Sequence, residues 1–167
     1  MLIAGLCSAC PAFAADDWTR YSNPRFGYSA DVPPGFTLKQ EGDNGDGAAF
    51  RSDDGRSRLL LFGTMVEDND FAAEARQRIG WDRQDGWEIT YDKVTPGWVS
   101  YSGARSTHIL YVRGIALCDG SAAYFHLEYP RDALKRFNSV ISRMVTSLQP
   151  AVGCNQAPLA APGAAQN

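Results

Sequence analysis

An α+β domain built on an antiparallel sheet is what this sequence predicts. Two long apolar runs meet at Asp119-Gly120, several strand-length segments separated by turn residues precede them, and one helical stripe closes the chain. A two-residue Asp-Gly connection between apolar runs is a strong hairpin signal. The closing stripe comprises Ala133, Leu134, Phe137, Val140, Ile141, Met144, Val145 and Leu148. These recur at the spacing of one apolar helix face, so a long C-terminal amphipathic helix is expected.

The other elements follow in chain order. Trp18 to Ser22 reads as a short strand. Phe26, Tyr28, Ala30 and Val32 alternate with Gly27, Ser29 and Asp31, the period of a half-buried strand. Pro33-Pro34-Gly35 stops it, and the Gly-rich stretch from Glu41 to Gly47 reads as a loop. Ala48 to Ser52 is a strand, with a turn at Asp53-Asp54-Gly55. Leu59 to Val66 is apolar on both alternating faces, which predicts a central strand covered on both sides. Asn69 or Asp70 can cap a helix running to about Gly80, with Phe71, Ala72, Ala75 and Ile79 on one stripe. Trp87 to Val94 and Trp98 to Gly103 read as strands around Pro96-Gly97. The hairpin strands span 108–118 and 121–130, and Pro150 ends the last helix.

The chain has 167 residues, 44% hydrophobic and 21% charged, with a net charge of -3. That is one globular domain rather than two. A weakly acidic balance gives no electrostatic case for nucleic acid or anionic lipid. Residues 1–14 carry no charge and end in Ala12-Phe13-Ala14, the small-x-small pattern cut by signal peptidase. The segment lacks a basic n-region and is too short to span a bilayer, which takes roughly 20 residues. The expected organisation is a signal peptide over 1–14, a domain over 16–149, and an Ala/Pro-rich tail over 150–167 that carries Cys154. The expected location is the periplasm or the extracellular space. Lipidation at Cys10 or Cys7 is a weaker match to the leader.

Beyond the leader only Cys118 and Cys154 remain, so an exported chain would hold one disulfide. The distances agree. The strand from Ser121 carries the chain roughly 30 Å from the turn. A helix over 131–148 returns roughly 27 Å. The bond would close a loop of about 36 residues and contribute roughly 3–4 kcal/mol in the chain-entropy account.

With a two-residue turn, Cys118 faces Ser121, Gly114 faces Phe125, Val112 faces Leu127 and Leu110 faces Tyr129. That apolar face should meet the C-terminal helix. The opposite face then pairs Arg113 with His126 and Tyr111 with Glu128, with Ile115 beside Tyr124. Tyr111, Arg113, Tyr124, His126 and Glu128 form the one candidate binding surface. Ordinary cross-strand pairing accounts for the same cluster.

Motifs for catalysis are weak. His108 and His126 are the only histidines, and no Gly-x-Ser-x-Gly elbow frames a serine. A small hydrolase using His126 is therefore the lesser alternative. The two histidines fall on opposite strand phases, a poor arrangement for zinc. The Asp43-Asn44-Gly45-Asp46-Gly47 loop misses calcium-loop spacing and its closing Glu. No motif calls for a metal or a cofactor.

The order of elements resembles the PsbP-like family. The resemblance rests on Tyr21-Ser22-Asn23-Pro24-Arg25-Phe26-Gly27-Tyr28-Ser29, Val32-Pro33-Pro34-Gly35-Phe36, Phe50-Arg51-Ser52-Asp53-Asp54-Gly55 and the helix end Ser147-Leu148. It covers about residues 18–149 and is similar to exported bacterial proteins with a like cysteine pair. It implies an antiparallel sheet sandwiched between helices and a non-catalytic accessory or binding role, with an envelope protein or small ligand as partner. Fold alone does not fix that role.

Overall fold

The computed structural model describes residues 17–152. The leader over 1–14 and Cys154 lie outside the described residues. Ten strands and two α-helices are present among them. The strands are β1 (Thr19–Asn23), β2 (Tyr28–Val32), β3 (Phe36–Glu41), β4 (Gly47–Ser52), β5 (Arg58–Met65), β6 (Glu88–Val94), β7 (Trp98–Arg105), β8 (His108–Ala116), β9 (Ser121–Pro130) and β10 (Gln149–Pro150). The helices are α1 (Phe71–Gln84) and α2 (Leu134–Ser147).

Seven strands form one sheet in the order β3-β4-β5-β9-β8-β7-β6, and β1-β2-β10 form a small second sheet. Every pairing is antiparallel. The α+β class therefore stands as read. β2 shows strict alternation, with Tyr28, Ala30 and Val32 buried. β5 sits inside the sheet between β4 and β9. α1 starts where Asp70 accepts a hydrogen bond from the Ala73 N–H at 2.9 Å, and it runs one turn beyond the expected Gly80. β3 and β10 carry no clear apolar period and were not expected from sequence. β3 exposes five of its six residues, so its pairing with β4, not its own pattern, makes it a strand.

Two apolar clusters form, one on each face of the large sheet. Phe125 and Leu127 belong to the cluster that holds β2, Phe137 and Met144. Tyr124, on the alternate phase of β9, joins Phe71, Ala75, Ile79, Val99 and Val112 in the other. Successive strand residues point to opposite faces, so α2 and the small sheet share one face and α1 takes the other. Aromatic stacking reinforces the α2 side, where Tyr129 and Phe137 stack at 4.4 Å between centroids.

The hairpin turn corrects the sequence reading. Leu117 N–H donates to the Ser121 carbonyl at 2.8 Å, so three residues, Cys118 to Gly120, make the connection. Gly120 takes φ +74°, the left-handed position that a three-residue hairpin loop reserves for glycine. Asp119 Oδ1 also accepts from the Ser121 N–H at 3.2 Å. Ala116 therefore faces Ala122, Gly114 faces Tyr124, Arg113 faces Phe125, Val112 faces His126, Tyr111 faces Leu127 and Leu110 faces Glu128. The expected pairs Gly114–Phe125, Val112–Leu127, Leu110–Tyr129, Arg113–His126 and Tyr111–Glu128 are each off by one. A slip of one residue reverses which residues share a face.

Candidate functional site

The shifted register divides the candidate surface. Tyr111 and Arg113 sit on the α2 face, opposite Leu127 and Phe125. Tyr124, His126 and Glu128 sit on the α1 face, opposite Gly114, Val112 and Leu110. The five do not form one patch.

On the α1 side the polar groups are engaged by the helix. Glu74, Arg78 and Asp82 follow one another at four-residue steps, so they line one strip of α1. Beside them Phe71, Ala75 and Ile79 form the buried strip. Asp82 Oδ2 accepts from the Tyr101 hydroxyl at 2.7 Å, and its Oδ1 lies 3.5 Å from His126 Nε2. His126 Nδ1 lies 3.7 Å from Glu128 Oε1, and Glu128 Oε2 lies 4.0 Å from Arg105. Arg105 stacks over Trp87 at 4.3 Å. Two turns earlier, the Tyr124 hydroxyl donates to Glu74, and Arg78 donates to the other oxygen of the same carboxylate. The Arg78 guanidinium lies over Tyr124 at 4.6 Å and over Phe62 at 4.8 Å.

Burial alone would push the Asp82 carboxyl up. Contacts with His126 and Tyr101 and the charge of Arg78 outweigh it and hold the group below its ordinary value. Burial, reinforced by Asp82, pushes the Tyr101 phenol up, and burial with Glu74 does the same to Tyr124. Both phenols stay protonated as donors. Sequence reasoning missed Glu74, Arg78, Asp82 and Tyr101. The signal was available as the four-residue polar spacing of α1, set next to an apolar strip of the same spacing.

His126 is 15% exposed at its side chain and has carboxylates, not hydroxyls, facing both ring nitrogens. This geometry fixes an imidazole in a layer between helix and sheet. A hydrolase would need a nucleophile at hydrogen-bond reach of that ring. His108 stands elsewhere, at the start of β8, with Nδ1 3.2 Å from the Thr107 hydroxyl. No group of three metal-binding side chains gathers among the described residues. No helix among them is long and apolar enough to cross a membrane.

On the α2 side the arrangement is more open. Arg113 donates from Nη1 to the Ser100 hydroxyl at 3.0 Å and lies over Trp98 at 4.3 Å. Lys93 approaches the same indole at 5.4 Å. Burial lowers the Arg113 pKa, because a desolvated cation is disfavoured. Next to this group, a cleft of about 510 Å³ opens between α2 and strands β6 to β8, lined by Ser102, Tyr111, Tyr129, Arg131 and Ile141 among others.

Sheet order and helix placement define an α+β fold that is PsbP-like. The chain is similar to the cyanobacterial PsbP (CyanoP) from Synechocystis, at 15% identity and a TM-score of 0.60, over 86% of this chain and 98% of that one. It is also similar to the Saccharomyces cerevisiae Ran-binding protein Mog1p, at 12% identity and a TM-score of 0.57, over 81% of this chain and 96% of that one. At these identities the likeness is one of fold. No protein-family model matches the sequence, and no curated protein does.

Proposed function

We propose that this chain is an exported, non-catalytic accessory or binding module of the bacterial cell envelope, acting in the periplasm or outside the cell. The observation that carries the reading is the setting of His126. Its Nε2 faces Asp82 of α1 and its Nδ1 faces Glu128 two residues along the same strand, so the Asp82 contact joins α1 to β9 and, among the described residues, no nucleophile stands at either nitrogen. Two further features support it. The fold is shared with a protein described as Ran-binding, and the uncharged leader ends in a signal-peptidase pattern. The partner is an envelope protein or a small ligand. Of the five candidate binding residues, Tyr124, His126 and Glu128 serve the α1 layer. Tyr111 lines the open cleft and Arg113 stands one rung from it, so these two are the better placed for a partner.

The test pairs cross-linking in intact cells with an ester-hydrolysis assay on the purified mature chain. The reading expects one specific cross-linked partner and no turnover. Ester hydrolysis that disappears in His126→Ala, with the fold intact, would replace it with the hydrolase alternative.

A further inference from the structure

We propose that the α2-side face of β6, β7 and β8 is a binding site for an oxyanion group, carboxylate or phosphate, carried by a small ligand. Arg113 is the anchoring cation. The proposal rests on the binding-module reading and gives it a ligand class.

The site is built by register. Lys93 pairs with Ser100, and Ser100 pairs with Arg113, so the three form one cross-strand row. Side chains directly opposite in such a row share a face. Two cations therefore stand on one face, separated by a small hydroxyl residue. Both lean on Trp98, with the guanidinium at 4.3 Å and the ammonium at 5.4 Å from the ring centre. The indole attracts each cation but neutralises neither.

Neither cation has a carboxylate partner among the described residues. The ion pairs there use Arg20, Arg56, Arg78, Arg83, Arg105, Arg143 and His126 instead. Arg113 is half-buried, and its Nε–H has no acceptor. A guanidinium carries five N–H donors in a fixed fork suited to carboxylate and phosphate oxygens. Here one donor meets the Ser100 hydroxyl. A partly desolvated, unpaired cation is costly, and a bound anion would relieve that cost. Tyr91 and Tyr111 stand close enough to influence the Arg113 charge, and their hydroxyls would add donors.

The neighbouring cleft supplies room for the rest of the ligand. The Ser102–Tyr111 rung adjoins the Ser100–Arg113 rung, two residues along each strand, a step of roughly 7 Å. Ser102 and Tyr111 line the cleft of about 510 Å³, a volume within the usual range for small-molecule sites. Tyr129 and Ile141 give it apolar walls, and Arg131 places a further cation on its lining. An anionic group at Arg113 would thus continue into a half-apolar cleft under α2.

The experiment titrates the purified mature chain with inorganic phosphate and, separately, with benzoate, followed by nitrogen-15 NMR. The readouts are the Arg113 Nε–H and Trp98 indole N–H signals. At least one anion should shift both signals saturably. Arg113→Met, which keeps most of the stem, should weaken that anion at least tenfold, and Lys93→Met about threefold. Arg76→Met, on the exposed side of α1, should leave binding unchanged. Saturation by phosphate alone assigns a phosphate ester, and by benzoate alone a carboxylate. Saturation by both supports the shared site. The proposal is overturned if neither anion shifts Arg113 saturably, or if folded Arg113→Met binds as the wild type does. If Arg113→Met does not fold, unchanged binding in Lys93→Met overturns it. A specific cross-linked partner without anion binding would sink this site and leave the binding module standing. Ester turnover lost in His126→Ala, alongside anion binding, would do the reverse.

Discussion

Asp82 on α1 and His126 on β9 meet at 3.5 Å, and the Tyr101 hydroxyl holds the second oxygen of the same carboxylate at 2.7 Å. This contact ties a helix to the middle of a seven-stranded sheet through partly buried polar groups. Such groups stabilise only while they remain satisfied.

A double-mutant cycle on Asp82→Ala and His126→Ala should therefore show coupling of about 0.5–3 kcal/mol, read by urea unfolding. His126→Ala alone should lower stability, because Asp82 and Glu128 would face each other without the imidazole. Additive effects would show that the contact contributes nothing. The Asp82 carboxyl is held below its ordinary value when folded. Its contribution is therefore complete above its unfolded pKa, about 3.9, and fades as pH falls below that. Asp82→Asn should flatten the acid limb of a stability–pH curve.

Alkaline stability follows from the tyrosines. Burial raises the pKa of Tyr28, Tyr101 and Tyr124. A raised folded pKa favours the native state below the unfolded value of about 10 and costs stability as pH climbs past it. Melting temperatures should fall steeply above about pH 10. The 295-nm absorbance of these phenolates should appear only together with unfolding. Gradual ionisation of all tyrosines in the native state would contradict the burial.

Gly114 faces Tyr124 across β8 and β9, and a methyl group there would run into the Tyr124 ring. Gly114→Ala should cost about 1–3 kcal/mol, the usual range for overpacking a filled site. Gly97, where an added Cβ meets open space, is the control, and Gly97→Ala should change the unfolding midpoint little. Equal effects at both positions would contradict the observed register.

The pairing of Cys118 with Cys154 remains an expectation from sequence, and the described end of the chain is compatible with it. Ala151 N–H donates to the Gly27 carbonyl. Phe26, next to Gly27, packs on Gly63, which pairs with Ala123 two residues past the hairpin tip. The last described residues thus lie on the same end of the sheet as Cys118. Intact mass of the secreted chain should rise by about two daltons on reduction, the mark of one bond. An unchanged mass would rule the bond out.

Export is tested at the new terminus. N-terminal sequencing of material from the envelope or medium should begin at Ala15 or Asp16, after Ala12-Phe13-Ala14. A chain that retains Met1 in the cytosol would remove the basis for an exported role.

Local signals in the sequence determined most of the elements. Alternation in Tyr28–Val32, the Asp70 cap before Phe71, and the stripe from Phe137 to Leu148 are set by short-range periodicity and capping, which a sequence displays directly. The family resemblance likewise anticipated a PsbP-like fold. The tertiary structure alone decided the face on which each hairpin residue stands. Asp119-Gly120 fits a two-residue turn and a three-residue one equally well as letters. Gly120 at positive φ and the Leu117–Ser121 hydrogen bond select the longer form. Because side chains alternate at every residue, that single added residue sent Arg113 to the α2 face and left His126 beneath α1. Packing, which favours Tyr124 under α1 and Phe125 under α2, enforces the choice, and packing partners distant in sequence are what a local reading cannot supply.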